Sequence, residues 1–313
     1  MLRRIAAVSC LFAFCLTGPA TAQTADWNVC KDENASADDS IAACSRVISG
    51  GRVQGNDLAI AHYNRGIAYR QKNDRDRALA DYNESIRINP RSDKAFNNRG
   101  NIWKDRGDLD RALADYSEAV SLNPRSAIAF ANRGDVWDDK GDRDRALADL
   151  NRAIELDPNY ARAYNTRGIV YRNRRELDQA VEDFSRAINA NPRYTLAYVN
   201  RANIHRDRSD HDRAIADYTE ALRLNPKSDT AYAGRSESLL KKGDHISALR
   251  DADQAVLMDA NDARNYVVRA AVMRALKRPN DAVADYRKAL TLRPREAMRK
   301  QVETALQELG GAQ

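Results

Sequence analysis

The nine residues from His62 to Arg70, HYNRGIAYR, return 34 residues later as FNNRGNIWK from Phe96, then as FANRGDVWD from Phe130 and YNTRGIVYR from Tyr164. Looser copies follow at the same interval from Tyr198, Tyr232 and Tyr266. A chain with so strict a period cannot wrap around one central core. Each copy buries its apolar face only against the next copy, and a period of about 34 residues belongs to a helical hairpin. Of the residues, 43% are hydrophobic, much of that alanine, and only five Phe and three Trp are present. Close approach of helices through small side chains must therefore replace bulky central packing.

With Ala59 as position 1, seven units run without gaps: 59–92, 93–126, 127–160, 161–194, 195–228, 229–262 and 263–296. Position 20 is alanine throughout (Ala78, Ala112, Ala146, Ala180, Ala214, Ala248, Ala282), and position 27 is alanine in every unit but the first, which has Ser85. Seven residues apart, the two columns share one helix face. Position 24 is mostly large: Tyr82, Tyr116, Leu150, Phe184, Tyr218, Ala252 and Tyr286. Position 11 is aromatic at Tyr69, Trp103, Trp137 and Tyr171, and these rings are expected to fill space between hairpins. Pro90, Pro124, Pro158, Pro192, Pro226 and Pro294 stand at position 32, where proline cannot continue a helix. Gly107, Gly141 and Gly243, with Asn73, suit the left-handed turn that ends the first helix. The Asp pairs that follow, such as Asp108/Asp110, suit a helix N-cap.

A small residue at 8, a ring at 11, Ala at 20, a ring at 24, Ala at 27 and Pro at 32 together resemble the tetratricopeptide repeat. The resemblance implies an all-α solenoid of helical hairpins wound into a right-handed superhelix. It also implies a partner, a protein or peptide segment, held on the concave wall of the first helices at positions 2, 5, 6, 9, 12 and 13. On that wall stand Asn64, Asn98, Asn132 and Asn200 at position 6, Tyr63, Asn97 and Asn165 at position 5, Asn101 at 9, Arg162 at 2 and Arg172 at 12. Two readings of the Asn column stand. The amides either hold an extended backbone, donating and accepting at once, or they join neighbouring helices. Position 5 is never Lys, so the lysine clamp by which some relatives grip a terminal carboxylate is not expected. The sixth unit departs most from the pattern, with Ser236 at position 8, Ala252 at 24 and Ala260 in place of proline.

Position 7 is arginine in all seven units (Arg65, Arg99, Arg133, Arg167, Arg201, Arg235, Arg269), where relatives are usually apolar. Position 23 is aspartate in all seven (Asp81, Asp115, Asp149, Asp183, Asp217, Asp251, Asp285). Opposite charges repeating in step, one per helix, point to a bidentate pair inside each hairpin rather than to a row of cations awaiting a ligand.

The ends read differently. Residues 1–22 have a basic start (Arg3, Arg4), an apolar run from Ile5 to Leu16 and Ala20-Thr21-Ala22, the layout of a secretory signal peptide cleaved after Ala22. That run is shorter than the roughly 20 residues of a membrane span. The protein is therefore expected to be periplasmic or secreted, with no membrane span. Loss of Arg3 and Arg4 with the leader takes the formal charge from +6 to +4. No dense basic stripe remains to recruit nucleic acid.

Residues 23–58 read as an atypical capping hairpin. Cys30 and Cys44 are its only cysteines, and in an oxidising compartment they are expected to form a structural disulfide. Residues 297–313 read as a C-terminal capping helix through Met298, Val302, Leu306 and Leu309. The four histidines lack metal-ligand spacing, and no phosphate loop or nucleophile elbow is present. No metal, cofactor or catalytic residue is expected. The function these features suggest is a non-catalytic adaptor or scaffold of the cell envelope that binds protein or peptide. The alternative is a receptor for an envelope glycan or other small ligand, using the aromatic and Asn-rich early wall.

Overall fold

A computed structural model describes residues 19–310, with side chains from Thr24 onward. The signal peptide expected over residues 1–22 lies almost wholly outside the described residues. Among the described residues there are 17 helices and no strand. A first pair, α1 (Pro19–Lys31) and α2 (Ala37–Ser49), precedes the repeats. The repeats follow as α3 (Gly55–Gln71) with α4 (Arg75–Ile88), α5 (Asp93–Asp105) with α6 (Leu109–Leu122), and α7 (Ala127–Asp139) with α8 (Arg143–Leu156). Next come α9 (Ala161–Asn173) with α10 (Leu177–Ala190), α11 (Thr195–Asp207) with α12 (His211–Leu224), α13 (Asp229–Lys241) with α14 (His245–Met258), and α15 (Ala263–Ala275) with α16 (Pro279–Thr291). The last helix is α17 (Glu296–Glu308). Contacts divide the chain into two compact units, meeting between Asn132 and Arg133 within α7; each is described by itself.

In both units the core is the small-and-large alternation read from the sequence. Ala78 and Ala112 in the first unit, and Ala146, Ala180, Ala214, Ala248 and Ala282 in the second, have no exposed surface. Beside them the position-24 rings Tyr82, Tyr116, Phe184 and Tyr218 are also fully buried. The position-11 rings behave otherwise. Tyr69, Trp103 and Trp137 are only half-buried, each covered by an arginine eight residues on: Arg77, Arg111 and Arg145 lie 4.5, 3.8 and 3.7 Å from the ring centroids. A cation over a π face covers these rings, and Tyr69 and Tyr171 also pack against clusters that include Ile102 and Ile204 of the following hairpin.

The turn inside every hairpin is left-handed at position 15. The glycines Gly107, Gly141 and Gly243 have φ of 77, 85 and 83°, and Asn73 has 61°. Arg175, Ser209 and Lys277 adopt the same conformation at 64, 63 and 60°, which their side chains did not announce. Of each Asp pair, the first caps the second helix: Asp74, Asp108, Asp142 and Asp210 accept from a backbone N–H three residues on, as does Asp244, which has no paired Asp. The second does not cap. Asp144 and Asp178 instead meet Arg174 and Arg208 of the following repeat at 2.7 and 2.8 Å.

The arginine ladder closes in all seven repeats. Nε and Nη2 of each position-7 arginine donate to the two carboxylate oxygens of the position-23 aspartate, over 2.6–2.9 Å. A further donor reaches backwards. Nη1 of Arg65, Arg99, Arg167, Arg201, Arg235 and Arg269 donates to Ser45, Asn83, Asn151, Ser185, Thr219 and Asp253 on the second helix of the preceding hairpin, 20 residues earlier for Arg65 and 16 for the others. Each of these arginines thus ties three helices together. At Asp81, burial works to raise the carboxyl, but hydrogen bonds from Arg65 and His62 outweigh it and hold the group below the usual carboxylate range.

Both ends are covered. In the first unit Cys30, Ala43, Cys44 and Val47 pack with Ala61 of α3, and the two Sγ atoms stand 2.08 Å apart, at disulfide distance. Helix α3 starts at Gly55, one turn earlier than the repeat frame suggests. In the second unit Val302, Ala305 and Leu306 of α17 pack with Tyr266, Tyr286 and Ala289, and Met298 and Leu309 lie partly buried around them. No helix among the described residues is long and apolar enough to cross a membrane.

Candidate functional site

The position-6 amides settle which of the two readings they follow. Asn64 Nδ2 donates to the carbonyl oxygen of Cys30 at 2.9 Å, and Asn98 Nδ2 to the Tyr63 hydroxyl at 3.1 Å. Asn132 Nδ2 donates to Asn97 Oδ1 at 2.8 Å, and Asn200 Nδ2 to Asn165 Oδ1 at 3.0 Å. The acceptor is each time on the preceding first helix, so the column is a set of rungs joining hairpins. Asn132 and Asn165, at 2% and 4% exposure, are buried by this arrangement and do not stand open on the wall. Asn101 has a related duty, its Oδ1 accepting from the buried Tyr116 hydroxyl at 2.8 Å.

Against this polar framework the first unit has a trough. A recess of about 270 Å³ is lined by Cys30, Lys31, Glu33, Tyr63, Asn64 and Lys94 among others. A second, of about 330 Å³, shares Lys31, Glu33, Tyr63, Asn64 and Lys94 and extends to Asn56, Ile60 and Asn89. Apolar Ile60, Ile67 and Ala68 and the ring of Tyr63 form part of the lining, with Lys31, Lys94, Asp32 and Glu33 as its charged groups. Burial raises the Tyr63 hydroxyl above its ordinary pKa, so it stays protonated and able to donate. Tyr63 and Asn64 were legible as wall residues. Lys31 and Glu33, from the end of α1 and the turn after it, were not, because that hairpin lies outside the repeat register.

The second unit presents a different wall. Arg162 of α9 faces Asp135 at 3.6 Å, Asn173 donates to Asp138 at 2.8 Å, and Arg172 is half-buried. Further along, Glu237 of α13 accepts from Arg206 of α11 at 2.8 Å and from Arg264 of α15 at 3.1 Å. Arg206 and Glu237 stand at groove positions 12 and 9, and that register was the available signal. Burial raises the Asp138 carboxyl. Among the described residues no cluster of His, Cys, Asp and Glu suited to a metal is found.

His205 occupies position 11 of the fifth repeat, where other repeats have a ring, and burial lowers its pKa. The unfolded imidazole takes a proton near pH 6.5, while the folded one resists it. Stability from this site is therefore full above that pH and is lost as pH falls through it. In urea titrations at pH 7.5 and 5.5, His205→Tyr should reduce the acid-side loss of the wild type. An identical loss in both proteins would count against the assignment.

The tetratricopeptide repeat family models match residues 59–92, 93–126, 165–229 and 199–266, and a TPR repeat model matches 139–174. Together they cover more than half of the chain, which belongs to the tetratricopeptide repeat family. Similar solved structures agree with the fold. The Cut9–Hcn1 hetero-tetramer of the APC/C gives a TM-score of 0.68 at 17% identity, over 87% of this chain and 53% of that one. PilF of Pseudomonas aeruginosa gives 0.61 at 17% identity, over 68% of this chain and 96% of that one. A tetratricopeptide repeat protein of Parabacteroides merdae gives 0.59 at 21% identity, over 79% and 98%. None of the curated proteins compared with the chain matches it. Tetratricopeptide repeats generally mediate contacts between proteins and are typically non-catalytic.

Proposed function

We propose that this protein is a non-catalytic adaptor of the cell envelope, binding a protein or peptide segment against its first helices. The observation that carries this reading is the trough in the first unit, where two adjoining recesses share Lys31, Glu33, Tyr63, Asn64 and Lys94. Apolar lining, an amide framework and charges of both signs suit an extended segment with mixed side chains. Tyr63 is the one ring lining it, so the trough offers no stacking platform for a sugar, and peptide is the better occupant.

The test is photo-crosslinking inside cells from a crosslinker placed at residue 94, compared with one at the exposed second-helix position 179. A defined protein captured from 94 and not from 179, and lost with Tyr63→Ala, is the expected result. Equal capture from both positions would refute the site.

Export is part of the proposal, resting on the leader read from residues 1–22 and on the Cys30–Cys44 pair at disulfide distance. Thiol labelling of denatured, unreduced protein from the envelope should leave Cys30 and Cys44 unmodified, and labelling without reductant would remove that support. A bridge closing a loop of this size contributes about 3 kcal/mol, so Cys44→Ser should lose roughly that much, with α1 and α2 exchanging first.

A further inference from the structure

Position 13 of the first helix holds an acid or an amide in four consecutive repeats, Asp105, Asp139, Asn173 and Asp207, and a lysine, Lys241, in the next. At two of the joints between repeats the consequence is visible. Asp105 lies 3.5 Å from Arg75, the position-17 residue of the repeat before it. Asn173 donates to Asp138, which also has the position-17 residue Arg143 at 3.6 Å. A carboxylate thus stands opposite position 17 at each.

The joint between the fifth and sixth repeats lacks that arrangement. Its position 17 is His211, its position 12 is Arg206, and Lys241 faces them. These three line a recess of about 370 Å³ with Ser209 and Glu237. Glu237 is the only carboxylate in the lining, and it is already divided between Arg206 and Arg264. Asp207 accepts from the other side of Arg206 at 2.8 Å but does not line the recess. His211 Nδ1 is buried and has no hydrogen-bond partner. Cationic groups therefore converge where the first–second and third–fourth joints place an acid opposite position 17.

We propose that this recess is an anion subsite that takes the carboxylate of an Asp or Glu side chain from the bound segment. The partner supplies the acid that the repeats provide for themselves elsewhere. Lys241 contributes the charge, while Ser209 and His211 line the same recess and bring hydrogen-bonding groups to it. The inference rests on the peptide-binding reading above and adds the chemistry of one partner residue.

The experiment uses the full mature chain and three probes: a short synthetic peptide alternating Glu and Gly, its Gln counterpart, and inorganic phosphate. Calorimetry gives affinity, and the imidazole resonances of His211 report on the site. The Glu peptide should bind about tenfold or more tighter than the Gln peptide and shift the His211 signals. Lys241→Asp places at position 13 the acid that the second, third and fifth repeats have there, so it should weaken the Glu peptide about tenfold without lowering the melting temperature, whereas Lys241→Arg should retain binding.

Equal affinity for the Glu and Gln peptides, or a Glu-peptide affinity untouched by Lys241→Asp, overturns the proposal. If phosphate shifts His211 while the Glu peptide does not, the recess takes a free anion and the peptide source is overturned. Crosslinking from residue 94, in the other unit, reports separately on the general reading. Capture there with no Glu-peptide binding here sinks only the subsite.

Discussion

Arg167→Leu is expected to destabilise the second unit by about 3–5 kcal/mol, the cost of leaving a buried carboxylate without its partner. The side chains of Arg167 and Asp183 are 12% and 3% exposed, and their two hydrogen bonds are both 2.7 Å long. Removing the guanidinium leaves Asp183 where water cannot replace it, and also frees Asn151, the acceptor of Arg167 Nη1. The double variant Arg167→Leu/Asp183→Leu should recover most of the loss, because two apolar groups of similar volume leave no stranded charge. Arg186→Leu serves as the control. Its pair with Glu182 is half-exposed and should contribute almost nothing. Stacked repeats do not unfold all at once, so the measurement is amide exchange across α9 and α10 along with the melting curve. Wild-type protection in Arg167→Leu would remove the ladder from the account of stability.

The second large effect runs against what repeat averaging suggests. Position 6 is Asn in four repeats, and Gly234 looks like a defect that Asn should repair. We expect Gly234→Asn to cost about 3 kcal/mol instead, the scale of overpacking a filled core. A Cβ at Gly234 would lie 2.3 Å from Tyr218 Cζ and 2.5 Å from its hydroxyl oxygen. That ring is fully buried, and its hydroxyl donates to Asn203 at 2.7 Å, so it has nowhere to retreat.

The reason lies in the fifth repeat. Repeats one to four have Gly at position 8, packed so tightly that an added Cβ would sit 2.7–2.9 Å from the position-24 side chain. The fifth has Ala202 there; its methyl group holds the Tyr218 ring off, and the ring's far edge lies against Gly234. Even Gly234→Ala, which in an open helix gains about 1 kcal/mol, should lower the melting temperature. A rise would show that the ring is free to move. Combining Gly234→Ala with Ala202→Gly should recover part of the loss.

The hairpins, their turns and the charged columns were legible because each unit repeats the same local problem, and seven copies of one answer are hard to misread. Arg at 7 and Asp at 23 announced their pairing by invariance alone. What stayed hidden was whatever depends on the next hairpin. The backward reach of Nη1 leaves only a loose trace at position 25, an acceptor in the first six repeats but variously Ser, Asn, Thr or Asp, and Arg287 in the seventh. The Asn column was ambiguous because the same amide serves a rung or a ligand equally well, and only the bonds to the preceding first helix decide. The trough escaped notice since Lys31 and Glu33 belong to a hairpin with no siblings to compare.

The backward reach of the arginines also gives the array a grain. A hairpin taken from the carboxyl end leaves behind only an idle hydroxyl, amide or, at Asp253, a half-exposed carboxylate, which solvent can serve. One taken from the amino end strips an acceptor from a charged group that stays lodged in the structure. Repeats should therefore be shed or added more easily at the tail than at the head, and tail-trimmed forms should outlast head-trimmed ones of equal length.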